Sequence, residues 1–230
     1  MGVSEFARGL VPAARKAPKA AGGVMRMVLE LGIDGVAGMP GAKAAAVSQL
    51  QKHGSVDAAI DAVVVQHVGL SSAQGFMANV GGVLASVVSL PGNLAGLAVV
   101  QIRMVGAIAH LRGYDIDDPR VRTAMMMCLL GGEQLVKLIE KGVLPTTPMA
   151  VATAPVFDPD LDRRVAERVV LEMAARVGGT NGALLLTKRI PIVGGGVGAV
   201  VDGVATRQIG VFAASELRRR RSLNHGAPPA

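Results

Sequence analysis

Four charged or titratable side chains lie within the most apolar parts of this sequence and are its first candidates for chemistry. Arg103 and His110 are seven residues apart in NLAGLAVVQIRMVGAIAHLRGYD, about two helical turns, so both project from nearly the same side of a helix. Asp202 and Arg207 interrupt a second apolar stretch, residues 190–215. Because a buried charge is costly unless it is paired, we expect Asp202 to meet Arg103 if the two stretches face one another.

This pair has two interpretations. As a structural element it fixes the register of two helices, which is the interpretation we favour. As a functional element it forms a polar centre for a ligand or for proton transfer. The full set of polar-core candidates is Arg103, His110, Asp202, Arg207, Gln101 and Glu133. Of these, Glu133 is also spaced to pair with Lys137 across one helical turn.

No recognised catalytic or metal-binding motif accompanies these residues. The four histidines form neither HExxH nor another zinc-site spacing, and GxSxG is absent. The glycines from Gly194 to Gly198 lack the GxxxxGK[ST] arrangement of a phosphate-binding loop. Cys128 lies in an apolar run and is expected to be a buried, inert thiol. We therefore predict no catalytic residue, metal or cofactor, and enzyme activity stays an open but disfavoured alternative.

The elements around the candidates begin with an uncharged run, residues 62–102. A membrane-spanning helix needs roughly 20 apolar residues, and residues 76–90 are too few. Residues 93–111 carry Arg103 at their centre, at a cost of about 2.5–3.5 kcal/mol for insertion, and residues 190–215 carry Asp202. Two interpretations remain: a hairpin buried in a helical bundle, which we favour, and a hairpin that inserts shallowly into a membrane and re-enters.

Composition indicates close helix packing and an anionic partner. Half of the 230 residues are apolar, 30 are glycine, and only four Phe and one Tyr occur. Small side chains let helix backbones approach closely. The formal net charge is +7, which favours anionic lipid or nucleic acid, although a solvated basic surface explains it equally well. Nucleic acid is disfavoured because almost no aromatic side chain is present to stack on bases. Four consecutive arginines, Arg218, Arg219, Arg220 and Arg221, suit anionic lipid phosphates.

Turn and capping signals predict an all-α helical bundle with no convincing strand. The predicted helices cover residues 21–31, 42–52, 56–68, 71–90, 92–111, 119–130, 133–141, 161–177 and 190–215. Two apolar hairpins with close small-residue packing, one around Pro91 and one around Pro191, are expected to pack against each other. We predict a basic flexible segment at 1–20, one helical domain at 21–221 with a Pro-rich loop at 143–159, and a disordered tail at 222–230.

Three stretches give the chain a family resemblance. LPGNLAGLAVVQIRMVGAIAHLRGYDIDDPRVR, then CLLGGE, then RIPIVGGGVGAVVDGVATRQIG occur in an order that resembles the EcsC family, over about residues 50–212. The resemblance implies a bacterial helical protein at the cytoplasmic side of the membrane. The namesake of the family is encoded beside an ABC transporter and has no agreed biochemical activity. The resemblance thus implies an accessory or scaffold role and carries over no catalytic residue.

The expected function is that of a non-enzymatic, membrane-associated accessory protein of the EcsC type. We expect it in the cytoplasm, peripheral to the inner face of the cell membrane, with anionic lipid or a membrane protein as partner. The alternative is a soluble bundle that binds a lipid or small hydrophobic ligand near Arg103, His110 and Asp202, with hydrolase-like activity as an extension. A third hypothesis is a module that forms homo-oligomers through its glycine face.

Overall fold

Helices make up nearly all of the part of the chain that the structure describes, as the sequence predicts. The computed structural model describes residues 18–36, 38–80, 82–186 and 191–218, and side chains within 22–73, 95–173 and 199–218. The helices are α1 (Pro18–Asp34), α2 (Ala42–His53), α3 (Val56–Val80), α4 (Gly82–Leu111), α5 (Pro119–Leu130), α6 (Gly132–Glu140), α7 (Pro148–Ala152), α8 (Pro159–Leu186) and α9 (Pro191–Glu216). Predictions for residues 1–17, for Arg219, Arg220 and Arg221, and for the tail at 222–230 fall outside the described residues.

One short antiparallel strand pair was not predicted. β1 (Gly35–Val36) pairs with β2 (Met39–Pro40) between α1 and α2. Two residues per strand are too few for a period-two pattern, so the sequence carries no strand signal there. The pair brings the backbone carbonyl of Pro40 against α4, where it becomes part of a buried polar cluster.

The predicted capping signals are confirmed at several helix ends. The carboxylate of Asp118 accepts a hydrogen bond from the backbone N–H of Arg120 at 2.8 Å, and Pro119 is the first residue of α5. Ser55 Oγ accepts from the N–H of Ala58 at 3.3 Å at the start of α3. Beyond α4, Gly113 has φ +86°, the left-handed conformation expected of a glycine that ends a helix.

Four predicted helix boundaries are wrong, all in glycine- or proline-containing stretches. α3 continues through residues 69 and 70 to Val80, and α4 is continuous through Pro91, so the proline does not end a helix. α8 continues through residues 178–182 to Leu186. The predicted loop at 143–159 contains the short helix α7. A glycine disfavours a helix by about 1 kcal/mol and a proline by about 3 kcal/mol, and long packed helices can override both terms.

α3, α4 and α9 pack together and carry the candidate site. Gly203 of α9 contacts Ser72 of α3, and Gly210 contacts Val64. A higher residue number on α9 thus faces a lower one on α3, so these two helices are antiparallel. α9 and α4 run parallel, because Gln101 contacts Thr206 and Met104 contacts Gly210 at a nearly constant offset. The helices α4 and α9 therefore do pack against each other, but α4 makes no turn at Pro91, so the hairpin predicted there is wrong.

Two glycines show how closely α3 and α9 approach. A β-carbon placed on Gly210 would lie 2.9 Å from Val64 Cγ2 and 3.0 Å from Met104 Sδ. One placed on Gly203 would collide with Ser72 Oγ. Of the predicted small-residue face on the glycine-rich helix, Gly203 is the glycine with a described environment, and it packs as predicted.

Candidate functional site

The buried polar centre of the bundle is formed by Arg103, His67 and the carbonyl of Pro40. Arg103 is 2% exposed and His67 is fully buried. Arg103 Nε donates to the carbonyl oxygen of Pro40 at 2.6 Å, and Arg103 Nη1 donates to His67 Nε2 at 2.9 Å. One arginine thereby ties α4 to α3 and to β2. No carboxylate among the described residues lies within salt-bridge distance of this guanidinium.

The contacts of His67 fix its tautomer and its charge. His67 Nδ1 lies 2.7 Å from the carbonyl oxygen of Val63, so Nδ1 carries the proton and Nε2 accepts from Arg103. Burial, reinforced by the positive charge of Arg103, lowers the pKa of His67 to about 4. Burial also lowers the pKa of Arg103, whose ordinary value is high enough that the guanidinium stays protonated at neutral pH. The pair is a charged donor on a neutral acceptor, which suits a structural latch.

The expected ion pair between Arg103 and Asp202 does not form. Asp202 lies half-buried on α9, where Ser71 Oγ donates to its backbone carbonyl at 3.5 Å. Its carboxylate makes no hydrogen bond or ion pair with the described residues, and desolvation raises the pKa of Asp202 to about 6. The register of α9 on α4 explains why this ion pair does not form. Thr206, one turn beyond Asp202, lies against Gln101 of α4. Arg103, on another side of α4, faces α3 and β2 instead.

The other predicted polar-core residues are dispersed. Gln101 is buried and donates to Thr206 Oγ1 at 3.2 Å. His110 is half-buried in the last turn of α4. Glu133 forms an exposed ion pair with Lys137 at 2.6 Å, as its spacing predicts. Arg207 is exposed on α9. The structure thus brings no three of the six candidates together.

An open groove lies between α3 and α9. Its volume is about 810 Å³. Five charged residues line it: Asp57, Asp61, Arg112, Arg207 and Arg218. Its remaining walls are formed by Ile60, Val64, Val65, Val211, Ala214 and Ser215. Arg207 is the predicted polar-core residue among them; Arg103, His110 and Asp202 do not line this groove.

Arg112 is the most constrained charge in the groove. Its Nη1 lies 2.9 Å from Asp57 Oδ1, and its side chain is 20% exposed while that of Asp57 is 83% exposed. Arg112 Nε is buried and has no hydrogen-bond acceptor. A buried N–H without an acceptor costs about 1–3 kcal/mol, so the hydrogen-bonding capacity of this arginine is not fully satisfied.

The outer face of α9 combines valines with arginines. Val200, Val204, Arg207 and Val211 are spaced at 4, 3 and 4 residues, which places them within about 60° of one another around the helix. Arg218 lies two residues beyond Glu216, the last residue of α9. All five are exposed, the valines by 64%, 50% and 53% in chain order. We call these five residues the α9 outer face. Its C-terminal part, which consists of Arg207, Val211 and Arg218, forms one wall of the groove.

Neither His67 nor Arg112 is among the candidates predicted from the sequence. His67 recurs at helical spacing with Ile60, Val63 and Val64, which indicates a buried position. A buried histidine can be a neutral acceptor for a buried arginine, and this spacing is the signal that the sequence offers. Arg112 follows the last residue of α4, and nothing in its sequence position indicates that it lines the groove.

Reactive groups are scarce in the described residues. Cys128 is fully buried, and burial raises the pKa of its thiol, which opposes formation of the nucleophilic thiolate. Within the described ranges no three His, Cys, Asp or Glu side chains cluster as metal ligands would. Among the same residues, no helix combines the length and apolar character required to cross a bilayer.

Comparison with known proteins yields no match to a family model, to a curated protein or to a solved structure.

Proposed function

We propose that this protein is a non-enzymatic, membrane-associated accessory protein of the EcsC type that docks on anionic lipid through the α9 outer face. It would act at the cytoplasmic side of the cell membrane, where a membrane protein could be its second partner. The observation that carries the proposal is the exposure of Val200, Val204 and Val211 on the same side of α9 as Arg207, with the exposed Arg218 just beyond the end of the helix.

Contact with an anionic bilayer is favourable for both residue types on this face. Exposed valines transfer apolar area out of water, at about 25 cal/mol per Å². An arginine near an anionic surface contributes about 1 kcal/mol. A helix that lies in the interface presents this combination of an apolar stripe and flanking cations. Arg218 is also the first residue of the four-arginine cluster, so the face is continuous in sequence with the predicted lipid-binding residues.

Vesicle flotation tests the proposal. The protein should float with vesicles that contain phosphatidylglycerol, less with pure phosphatidylcholine vesicles, and less with either as salt increases, because salt screens the arginines. Near-zero recovery with both vesicle types would contradict the proposal.

Two matched pairs of variants locate the docking face. Val204→Asp should reduce flotation strongly, whereas Val136→Asp, on α6 and 52% exposed, should not. Arg207→Gln should lower affinity for anionic vesicles about fivefold, the equivalent of about 1 kcal/mol, whereas Arg164→Gln on the exposed side of α8 should leave it unchanged. Equal losses within each pair would mean that docking does not use α9.

A further inference from the structure

The charges of the α3–α9 groove are arranged with cations at both ends. Arg207 lies on α9 and Arg218 lies two residues beyond its last residue, Glu216, so the two arginines are at opposite ends of this wall of the groove. Among the described residues that line the groove, three are arginines and two are aspartates, which gives this part of the groove a net charge of +1. A site of this charge favours a monoanion and disfavours a polyanion, because Asp57 and Asp61 repel additional negative charge.

One end of the groove holds two of the three arginines. The antiparallel register that puts Val64 beside Gly210 places Asp57, two turns earlier on α3, opposite the end of α9 that carries Arg218. Asp57 binds Arg112, so Arg112 lies at this same end. Tyr114 also lies there, since its hydroxyl donates to the carbonyl oxygen of Arg218 at 3.2 Å.

The wall between the two ends is mostly apolar, and its polar residues are Asp61 and Ser215. Ile60, Val64 and Val65 line the α3 side, and Val211 and Ala214 line the α9 side. Val65 is 72% exposed, which leaves apolar area open to a ligand. The described residues that line the groove include no aromatic ring, so they offer no surface on which nucleobases stack.

We infer that the α3–α9 groove binds one phospholipid molecule, with its anionic phosphodiester between Arg112 and Arg218 and an acyl chain along Val64, Val65 and Val211. This inference rests on the proposed membrane association, because the membrane supplies the lipid, but it concerns a single-molecule site rather than surface docking. The groove volume of about 810 Å³ lies within the usual range of small-ligand sites and accommodates a head group with part of one chain.

The state of Arg112 supports a ligand at this end. Arg112 shares one carboxylate with solvent and keeps a buried Nε–H that has no acceptor. Guanidinium groups bind phosphate through two parallel N–H donors. A phosphodiester that draws the guanidinium toward the groove would replace the exposed Asp57 contact and satisfy the unpaired donor.

Soluble short-chain lipid separates this site from docking on a bilayer. The probe is dioctanoyl phosphatidylglycerol below its critical micelle concentration, and the readout is the fluorescence of Tyr114. The chain has one tyrosine and no tryptophan, so the signal reports on the Arg218 end of the groove alone. We expect saturable binding of one lipid per chain. Dioctanoyl phosphatidylcholine, glycerol phosphate and octyl glucoside should each bind at least tenfold more weakly, because each lacks the net charge or the acyl chains.

Two groove variants should weaken lipid binding and a third should strengthen it. Arg112→Gln and Arg218→Gln should each weaken binding at least fivefold, and Arg218 is exposed, so its replacement does not endanger folding. Asp57→Asn should strengthen binding severalfold, because it removes the competing carboxylate; a merely structural role for Asp57 would not produce a gain. Arg164→Gln is the matched arginine control and should have no effect.

Failure of this inference and failure of membrane docking give different results. Val204 does not line the groove, so Val204→Asp should abolish flotation and leave binding of monomeric lipid intact. Absence of saturable binding, or weaker binding by Asp57→Asn, would overturn the groove assignment whatever the flotation result. Binding of monomeric lipid without flotation would retain the groove and remove the docking proposal.

Discussion

Arg103 Nη1 donates to His67 Nε2 at 2.9 Å inside the bundle, and this contact between a cation and a neutral imidazole takes the place of the expected ion pair with Asp202. His67 can accept only while it is neutral, and its Nδ1 proton is held by the carbonyl of Val63. The relationship couples α3 to α4 through a charged donor that also reaches the carbonyl of Pro40. Its strength and its pH dependence are both measurable.

The first prediction is an energetic coupling between these two residues. His67→Leu removes the acceptor for a buried cation and should destabilise the fold by about 2–4 kcal/mol. Arg103→Met leaves His67 Nε2 and the Pro40 carbonyl without this donor and should destabilise it by about 2–3 kcal/mol. The double variant should be less destabilised than the sum by about 1–3 kcal/mol in denaturant unfolding. Strictly additive losses would show that the contact contributes nothing beyond packing.

The second prediction is that the protein loses stability as the pH falls between 6.5 and about 4, the unfolded and folded pKa values of His67. The pKa of His67 is about 4 in the folded protein and 6.5 as the reference for the unfolded chain. Between these values the unfolded chain binds the proton more readily, so the free energy of unfolding decreases from neutral pH downward. For this one group we expect a loss of about 2 kcal/mol between pH 7 and pH 5. The difference between wild type and His67→Leu isolates it; His53→Gln, an exposed histidine, is the control and should keep the wild-type slope.

More of the fold than of the candidate site could be predicted from the sequence. Helical spacing and the caps at Ser55, Asp118 and Gly113 are local signals, and the helices they delimit are present. Pro91 gave a wrong boundary because propensity is a small local term in a long helix.

The site depends on how helices rotate against each other, which residue spacing within one helix does not determine. Asp202 and Arg103 are both charges in apolar stretches, but the register of α9 on α4 places Thr206 against Gln101 and turns Arg103 away. Arg112 and Arg218 come from different elements and meet one groove only through the antiparallel pairing of α3 with α9. That pairing is a property of the packed helices.

The third prediction concerns Asp202, whose pKa is raised to about 6 by desolvation. A carboxyl with a raised folded-state pKa contributes stability below its unfolded value of 3.8, and this is lost as the pH rises through 6. Asp202→Asn should therefore stabilise the protein at pH 7 by about 1 kcal/mol, a figure reduced for partial solvent access, and should have little effect near pH 4. Thermal melts at both pH values check this, with Asp61→Asn, on the exposed side of α3, as the control. No gain at pH 7 would contradict the desolvation of Asp202.

The fourth prediction tests the close approach of α3 and α9. It compares two helical glycines, one with open space around an added β-carbon and one in close contact with neighbouring side chains. Gly69 of α3 has nothing within 4 Å of an added β-carbon, so Gly69→Ala should stabilise the helix by up to about 1 kcal/mol. Gly210→Ala should instead destabilise the protein by about 1–2 kcal/mol, because its β-carbon would lie 2.9 Å from Val64 Cγ2 and 3.0 Å from Met104 Sδ. Val64→Ala in the Gly210→Ala background should recover part of that loss, since it removes one of the two clashes. If both glycine variants gained stability alike, α9 would have to lie farther from α3 than the structure places it, and the groove between them would have to be wider.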